Sequence, residues 1–152
     1  MATEASNVKA ELAEARAAVD PGYMPSDSEE YMSARQLDFF RVLLLDWKKS
    51  IHDAAGQTLQ SLQDGPMREP DLADRASSET DWGIELRTRD RQRKLIAKID
   101  AALRRIDAGE YGYCDKTGDP IGLKRLIARP VATMTVEAQE AHERRERVSR
   151  DD

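Results

Sequence analysis

A long helix begins in Ser33-Ala34-Arg35-Gln36-Leu37-Asp38-Phe39-Phe40-Arg41-Val42-Leu43-Leu44-Leu45-Asp46-Trp47, where apolar residues start to recur at intervals of three and four. Ser33 and Gln36 fit a capping box, the serine hydroxyl accepting from the fourth backbone amide and the glutamine reaching back. The repeat then runs Leu37, Phe40, Leu44, Trp47, Ile51, Ala55, Leu59 and Leu62, which keeps one stripe toward a partner, as in a coiled-coil seam. Asp64-Gly65-Pro66 ends it, because glycine closes helices and proline cannot continue them.

A second run follows with Trp82, Leu86, Ile96, Ile99, Leu103 and Ile106, broken at the seam positions between by Arg89 and Arg93, and stops near Asp107-Ala108-Gly109. Two helices of similar length joined by a Gly/Pro turn fold back most simply as an antiparallel hairpin, each arm about 45 Å long at 1.5 Å per residue. The expected fold is mainly α: a long antiparallel coiled-coil hairpin over 33–108 with its tip near 64–76. Before it lies an acidic arm, 1–32, that holds one helix and packs on a globular part. After it come a turn-rich knob at 109–134, with room for short strands, and a C-terminal helix over 135–152.

Composition agrees with a probe rather than a container. The 152 residues carry 24 Lys+Arg against 29 Asp+Glu, a formal charge of -5, with 35% charged and only 5% aromatic residues. That is thin apolar mass for a globular enzyme and suits solvent-washed helices. No window approaches the roughly 18 apolar residues of a membrane span, and Met1-Ala2-Thr3-Glu4 lacks the basic and apolar regions of a signal peptide, so a cytoplasmic location is expected. One cysteine, Cys114, excludes an intramolecular disulfide, and with two histidines it leaves too few soft ligands for an ordinary structural zinc site.

Charge is segregated along the hairpin. The tip carries Asp64, Glu69, Asp71, Asp74, Glu79 and Asp81, and the returning helix carries Arg87, Arg89, Arg91, Arg93, Lys94 and Lys98. Asp71 and Asp74 have two readings, a carboxylate pair able to perturb a magnesium ion or simple capping of a helix N-terminus, and local sequence favours capping. The basic run is a candidate phosphate-binding stripe or a solvated helix face. With a negative net charge, no recognition helix and no aromatic stacking module, sequence-specific DNA binding is not expected. Cys114 reads as a packed thiol, since Asp115 opposes thiolate formation although Lys116 favours it; His52 and His142 read as ordinary surface residues.

Taken together, Glu30-Tyr31-Met32, Gln36-Leu37, Phe40-Arg41, Trp47, Asp71, Asp74-Arg75-Ala76, Leu86-Arg87 and Arg89-Asp90-Arg91 resemble the DksA/TraR family. So do Arg93-Lys94-Leu95-Ile96, Tyr111-Gly112-Tyr113-Cys114, Ile121-Gly122, Arg125-Leu126 and Ala128-Arg129-Pro130, in order and at compatible spacing over roughly 29 to 130. The resemblance implies a monomeric, non-enzymatic factor that binds bacterial RNA polymerase and inserts the hairpin tip into the secondary channel toward the catalytic magnesium. It further implies destabilised open promoter complexes and, with the alarmone ppGpp as co-regulator, repression of ribosomal RNA promoters and activation of amino-acid biosynthetic ones. Asp71, Asp74 and Ala76 occupy the family's tip motif, which moves the two aspartates toward a functional role. Lys98 and Arg129 match basic residues of the family's ppGpp site, Arg91, Lys94 and Leu95 match its neighbourhood, and a further family lysine corresponds to Gln139.

The chain departs from the family at the zinc knuckle. Its four cysteine positions hold Cys114, Thr117, Thr135 and Ala138, so the resemblance is to the zinc-independent branch, with no structurally bound cofactor and with hydrogen bonding and packing in place of metal. The rival reading is a Gre-like transcript cleavage factor, which also carries acids at a hairpin tip and stimulates hydrolysis of RNA by the polymerase; cleavage in backtracked complexes separates the two. A coiled-coil scaffold is a third, which the Gly65-Pro66 break disfavours.

Overall fold

The computed structural model describes the backbone of residues 4–63 and 72–151 and the side chains of 4–57 and 79–150. Five helices follow one another: α1 (Glu4–Ala17), α2 (Ala34–Gln63), α3 (Leu72–Ala108), α4 (Leu123–Ala128) and α5 (Val136–Asp151). Among the described residues there is no strand in the knob, only an isolated antiparallel bridge between Tyr113 and Pro120.

The start of α2 follows the capping prediction with one shift. The Gln36 amide donates to Ser33 Oγ at 3.3 Å, but Gln36 Oε1 accepts from the amide of Met32 rather than that of Ser33, at 2.8 Å. Its Nε2 donates to the Ser26 carbonyl at 3.2 Å, and the side chain is fully buried. One glutamine thus ties the end of the acidic arm to the first turn of the hairpin.

Two ion pairs fix the register between α2 and α3. Arg41 pairs with Asp107 at 2.6 Å and Lys48 with Asp100 at 2.7 Å, so seven residues forward in α2 match seven residues back in α3. The hairpin is antiparallel, and the step of seven is the heptad of a coiled-coil seam. Phe40, Leu44, Ile51, Ile99, Ala102 and Ile106 are buried along it, joined by Tyr111, Cys114, Ile121, Leu123, Leu126 and Ala138 from the knob and α5. The core therefore lies at the hairpin's base, where the knob packs against both helices.

Continuing the register by sevens sets 55 opposite 93 and 62 opposite 86. This accounts for a departure from the seam read in the sequence: Trp82 and Leu86 are 46% and 57% exposed. Leu86 falls opposite position 62 near the end of α2 and Trp82 opposite position 66, outside the described residues.

The acidic arm contributes a buried stripe of its own. Val8, Leu12 and Ala15 are spaced as one helical face, and Leu12 and Ala15 pack with Leu45 of α2, with Val42 and Leu103 at the margin. The arm's helix thus lies along the hairpin, while Tyr31 and Met32 at the end of the arm pack into the core cluster beside the knob. At the other end of α3, Gly109 adopts φ +74° and the Glu110 amide donates back to the Arg105 carbonyl, a left-handed turn that glycine makes without a Cβ penalty.

Candidate functional site

Three zones carry the residues singled out in the sequence: the tip, the outer face of α3 with the adjoining knob, and the degenerate knuckle. At the tip, Asp71 lies outside the described residues. α3 starts at Leu72, so Asp74 and Ala76 belong to its first turns. An acid in the first turn opposes the helix dipole, which supports capping but does not require a second carboxylate three residues earlier.

On α3, Arg87, Arg91, Lys94 and Lys98 are spaced four, three and four residues apart and form one outward stripe, and all four are exposed. Arg89 and Arg93 are two residues off this stripe, on the other side of the helix: Arg89 is half-buried toward the seam, whereas Arg93, 80% exposed, stands at its outer rim. The basic run is therefore two faces rather than one. Lys94 is partly committed: Asp90 sits 3.0 Å from it and 2.6 Å from Arg93, and these two cations hold the Asp90 carboxyl below its ordinary range. Lys98 makes no ion pair among the described residues.

Leu95 of this stripe's border and Ile127 of α4 pack against the same core cluster. Arg129, at the C-terminus of α4 and exposed, donates its amide to the Arg125 carbonyl. The fold thus anchors α4 and the middle of α3 to one cluster through Leu95 and Ile127, with Lys98 and Arg129 close by them in sequence. Gln139, where the family resemblance expects a lysine, donates to Glu143 at 3.0 Å.

The knuckle residues converge as the spacing requires, but their chemistry does not suit zinc. Cys114 is buried at 3% exposure, Thr117 Oγ1 accepts from the Asp119 amide, Thr135 Oγ1 caps α5 by accepting from the Ala138 amide at 3.1 Å, and Ala138 offers a methyl group. One thiol, two engaged hydroxyls and a methyl cannot make a tetrahedral Zn²⁺ shell. Hydrogen bonds take its place. The Cys114 amide donates to Asp119 O and the Asp115 amide to Thr133 O, both at 2.8 Å, and the Arg125 side chain donates to Met134 O at 2.9 Å. These bonds tie the first turn to the segment ahead of α5.

Two tyrosines complete the clamp. Tyr31 Oη donates to Gly112 O at 2.7 Å and accepts from the Gly122 amide at 2.9 Å, so one hydroxyl joins both turns of the knob to the arm. Tyr111 Oη donates to Pro130 O at 2.7 Å, and burial pushes its ionisation well above the ordinary range. Sequence reasoning treated these residues only as carriers of the family resemblance. Their partners lie 81, 91 and 19 residues away, beyond any local pattern.

The Cys114 thiol differs from the sequence reading. Burial pushes it up, but the Thr117 side chain and the backbone amides of Thr135, Lys116 and Thr117 outweigh burial and bring it down to about 7. Neighbouring charges in the sequence suggested no strong stabilisation of the thiolate; hydrogen-bond donors from the turn and from the start of α5 supply it instead. His52 also departs from a plain surface residue: it is half-buried and its Nε2 is buried without a hydrogen-bond partner. His142 is half-exposed, 3.2 Å from Glu146.

Comparison with known proteins follows this geometry closely. Residues 36–106 match the family described as DnaK suppressor protein DksA, N-terminal domain, and 109–144 match the prokaryotic dksA/traR C4-type zinc finger. A relative from Caulobacter vibrioides (strain NA1000), named RNA polymerase-binding transcription factor DksA, is 62% identical over 130 residues, 86% of this chain and 92% of that protein. The chain belongs to the DksA family. The Escherichia coli K12 protein of the same name is 40% identical over 86% of each chain. The solved structure of transcription factor DksA2 from Pseudomonas aeruginosa superposes with a TM-score of 0.71 at 44% identity, covering 82% of this chain and 94% of that one.

The match to a C4-type finger makes the knuckle's donor set testable. Because three of its four ligand positions lack sulfur, a strong chelator is expected to leave the melting temperature within about 1 °C, whereas structural zinc supplies much of the folding free energy in domains that depend on it. Thermal melting of freshly purified protein with and without the chelator reads this directly, and a drop of many degrees would require a metal site elsewhere in the chain.

Proposed function

We propose that this chain is a non-enzymatic, cytoplasmic, monomeric transcription factor that binds bacterial RNA polymerase and delivers its hairpin tip through the secondary channel to the active centre. The observation that carries the reading is the pairing of a registered antiparallel hairpin with a relative named for RNA polymerase binding at 62% identity across nearly its whole length. The 37 residues of α3 give a rod about 55 Å long at 1.5 Å per residue, and among the described residues its core lies at the base. A slender rod of this kind can enter an opening that a globular domain cannot.

In this reading Asp71 and Asp74 alter contacts near the catalytic magnesium. The knob and the outer stripe hold the factor on the polymerase surface, where Lys98 and Arg129, bordered by Arg91, Lys94 and Leu95, meet ppGpp. The consequence is a shorter-lived open promoter complex, with ribosomal RNA promoters repressed and amino-acid biosynthetic promoters activated. Gln139, neutral and bonded to Glu143, supplies no charge to the alarmone.

The lifetime of promoter complexes on purified polymerase, with and without the protein and ppGpp, tests this reading. The expected result is a shortened lifetime with protein alone and a further shortening with ppGpp. Lys98→Ala is expected to keep the first effect and to lose most of the second, because an Arg/Lys–phosphate contact contributes on the order of 1–3 kcal/mol. An unchanged alarmone response would remove Lys98 from the site, and a lifetime insensitive to the wild-type protein would remove the function.

A further inference from the structure

The seam-facing half of the basic run has no role in the function proposed above, and the structure shows a cleft there. Between α2 and α3, Ile51, His52, Ala55 and Gly56 face Arg89, Gln92, Arg93 and Ile96 across a cleft of about 630 Å³. The register explains its existence. At the layer where an apolar pair belongs, small Ala55 stands opposite Arg93, and Gly56 beside it adds no side chain, so the two helices leave a gap that guanidinium groups line and isoleucines border.

The polar groups around this gap are incompletely satisfied. Arg89 is half-buried and makes no ion pair or hydrogen bond among the described residues, although a guanidinium has five donors. His52 Nε2 is buried without a partner. Arg93 at the rim is 80% exposed and pairs with Asp90 at 2.6 Å, which leaves its other donors to water, and Asp100 is already neutralised by Lys48 at 2.7 Å. Glu4 of α1 is the other acid on the rim and is exposed. A half-buried arginine without an anion keeps only part of its hydration, and an oxyanion that accepts from two arginines and an amide at once would satisfy its remaining donors with charge-assisted, bidentate bonds.

We propose that this cleft is an anion site that takes the phosphoryl group of a small phosphorylated ligand, held by Arg89 and Arg93 with Gln92 and His52 beside them. It is separate from the outer stripe, because 89, 93 and 96 lie on the opposite side of α3 from 91, 94 and 98. The gap accommodates a phosphate or pyrophosphate between two helices but not a duplex. The outer residues would still face solvent when it is filled, so occupancy of the two faces is compatible.

The test uses the full-length protein without polymerase, so its outcome is independent of the function proposed above. Arginine Nε–Hε, Gln92 amide and His52 ring signals are followed by NMR at constant ionic strength while inorganic phosphate, pyrophosphate, acetate, chloride or a short single-stranded oligonucleotide is added. Saturable shifts at Arg89, Arg93, Gln92 and His52 with phosphate and tighter ones with pyrophosphate are expected, weakened about tenfold by Arg89→Gln and unaffected by Arg87→Gln on the outer face. Arg93→Gln serves as the second variant should Arg89→Gln fail to fold. Shifts that chloride reproduces, that acetate matches, that only the oligonucleotide elicits, or that survive both cleft substitutions overturn the proposal.

Discussion

Asp74→Asn is expected to abolish the shortening of promoter-complex lifetime, by at least about tenfold in the concentration of protein required, while the melting temperature moves by no more than about 1–2 °C. The two effects separate because they have different physical origins. Asparagine keeps the side-chain oxygen and caps a helix nearly as well as aspartate, and the lost interaction with the helix dipole is worth only about 0.3–1 kcal/mol. A formal charge brought near a catalytic magnesium is worth far more, since desolvated electrostatics in a closed site are only weakly screened. Asp71→Asn, one residue before α3, should behave in the same way. If either neutral variant retained wild-type potency, the tip carboxylates would be helix-start residues and nothing more, and the charge would have to act elsewhere.

That experiment bears on the part of the molecule most legible in the sequence. The hairpin followed from a three-four spacing, and Phe40, Leu44, Ile51, Ile99 and Ile106 are buried as that spacing requires. Ser33 and Thr135 cap α2 and α5 because short hydroxyl side chains act within three residues of themselves, a distance a sequence displays. Trp82 shows where such reasoning stops. What stands opposite it is set by the register of Arg41–Asp107 and Lys48–Asp100 and by no property of its own helix, and the side chain is 46% exposed.

Two further features were hidden for related reasons. The stripe of Val8, Leu12 and Ala15 was masked by the acidic composition around it, yet three residues on one face suffice to lay α1 on α2. The low-lying thiol of Cys114 and the isolated nitrogen of His52 depend on donors and neighbours from other elements. Counting charges along the chain at Asp115 and Lys116 could not report hydrogen bonds from Thr117 and Thr135. The candidate site shows the same division: its residue types were visible, whereas the split of the basic run into an outer stripe and a seam cleft required the helix pair.

The largest loss of stability is expected from Gly112→Ala, at the point where the arm, the knob and the core meet. Gly112 adopts φ +93°, which an alanine reaches only with strain of about 1–3 kcal/mol. A Cβ there would also lie 2.6 Å from Met32 Cγ and 2.7 Å from its Sδ, closer than packed atoms approach, and Met32 already has φ 54° and packs into the core. Displacing either residue pulls on the 2.7 Å bond from Tyr31 Oη to Gly112 O, and through the same hydroxyl on Gly122. The expected sum is roughly 2–5 kcal/mol, which for a chain of this size lowers the melting temperature by about 5–15 °C. Adding Met32→Ala removes the collision but not the backbone strain, so Gly112→Ala should cost less in the Met32→Ala background than in the wild type. A Gly112→Ala protein that melted with the wild type would mean that the turn can relax into another conformation, and that Tyr31 is not what holds the knob to the hairpin.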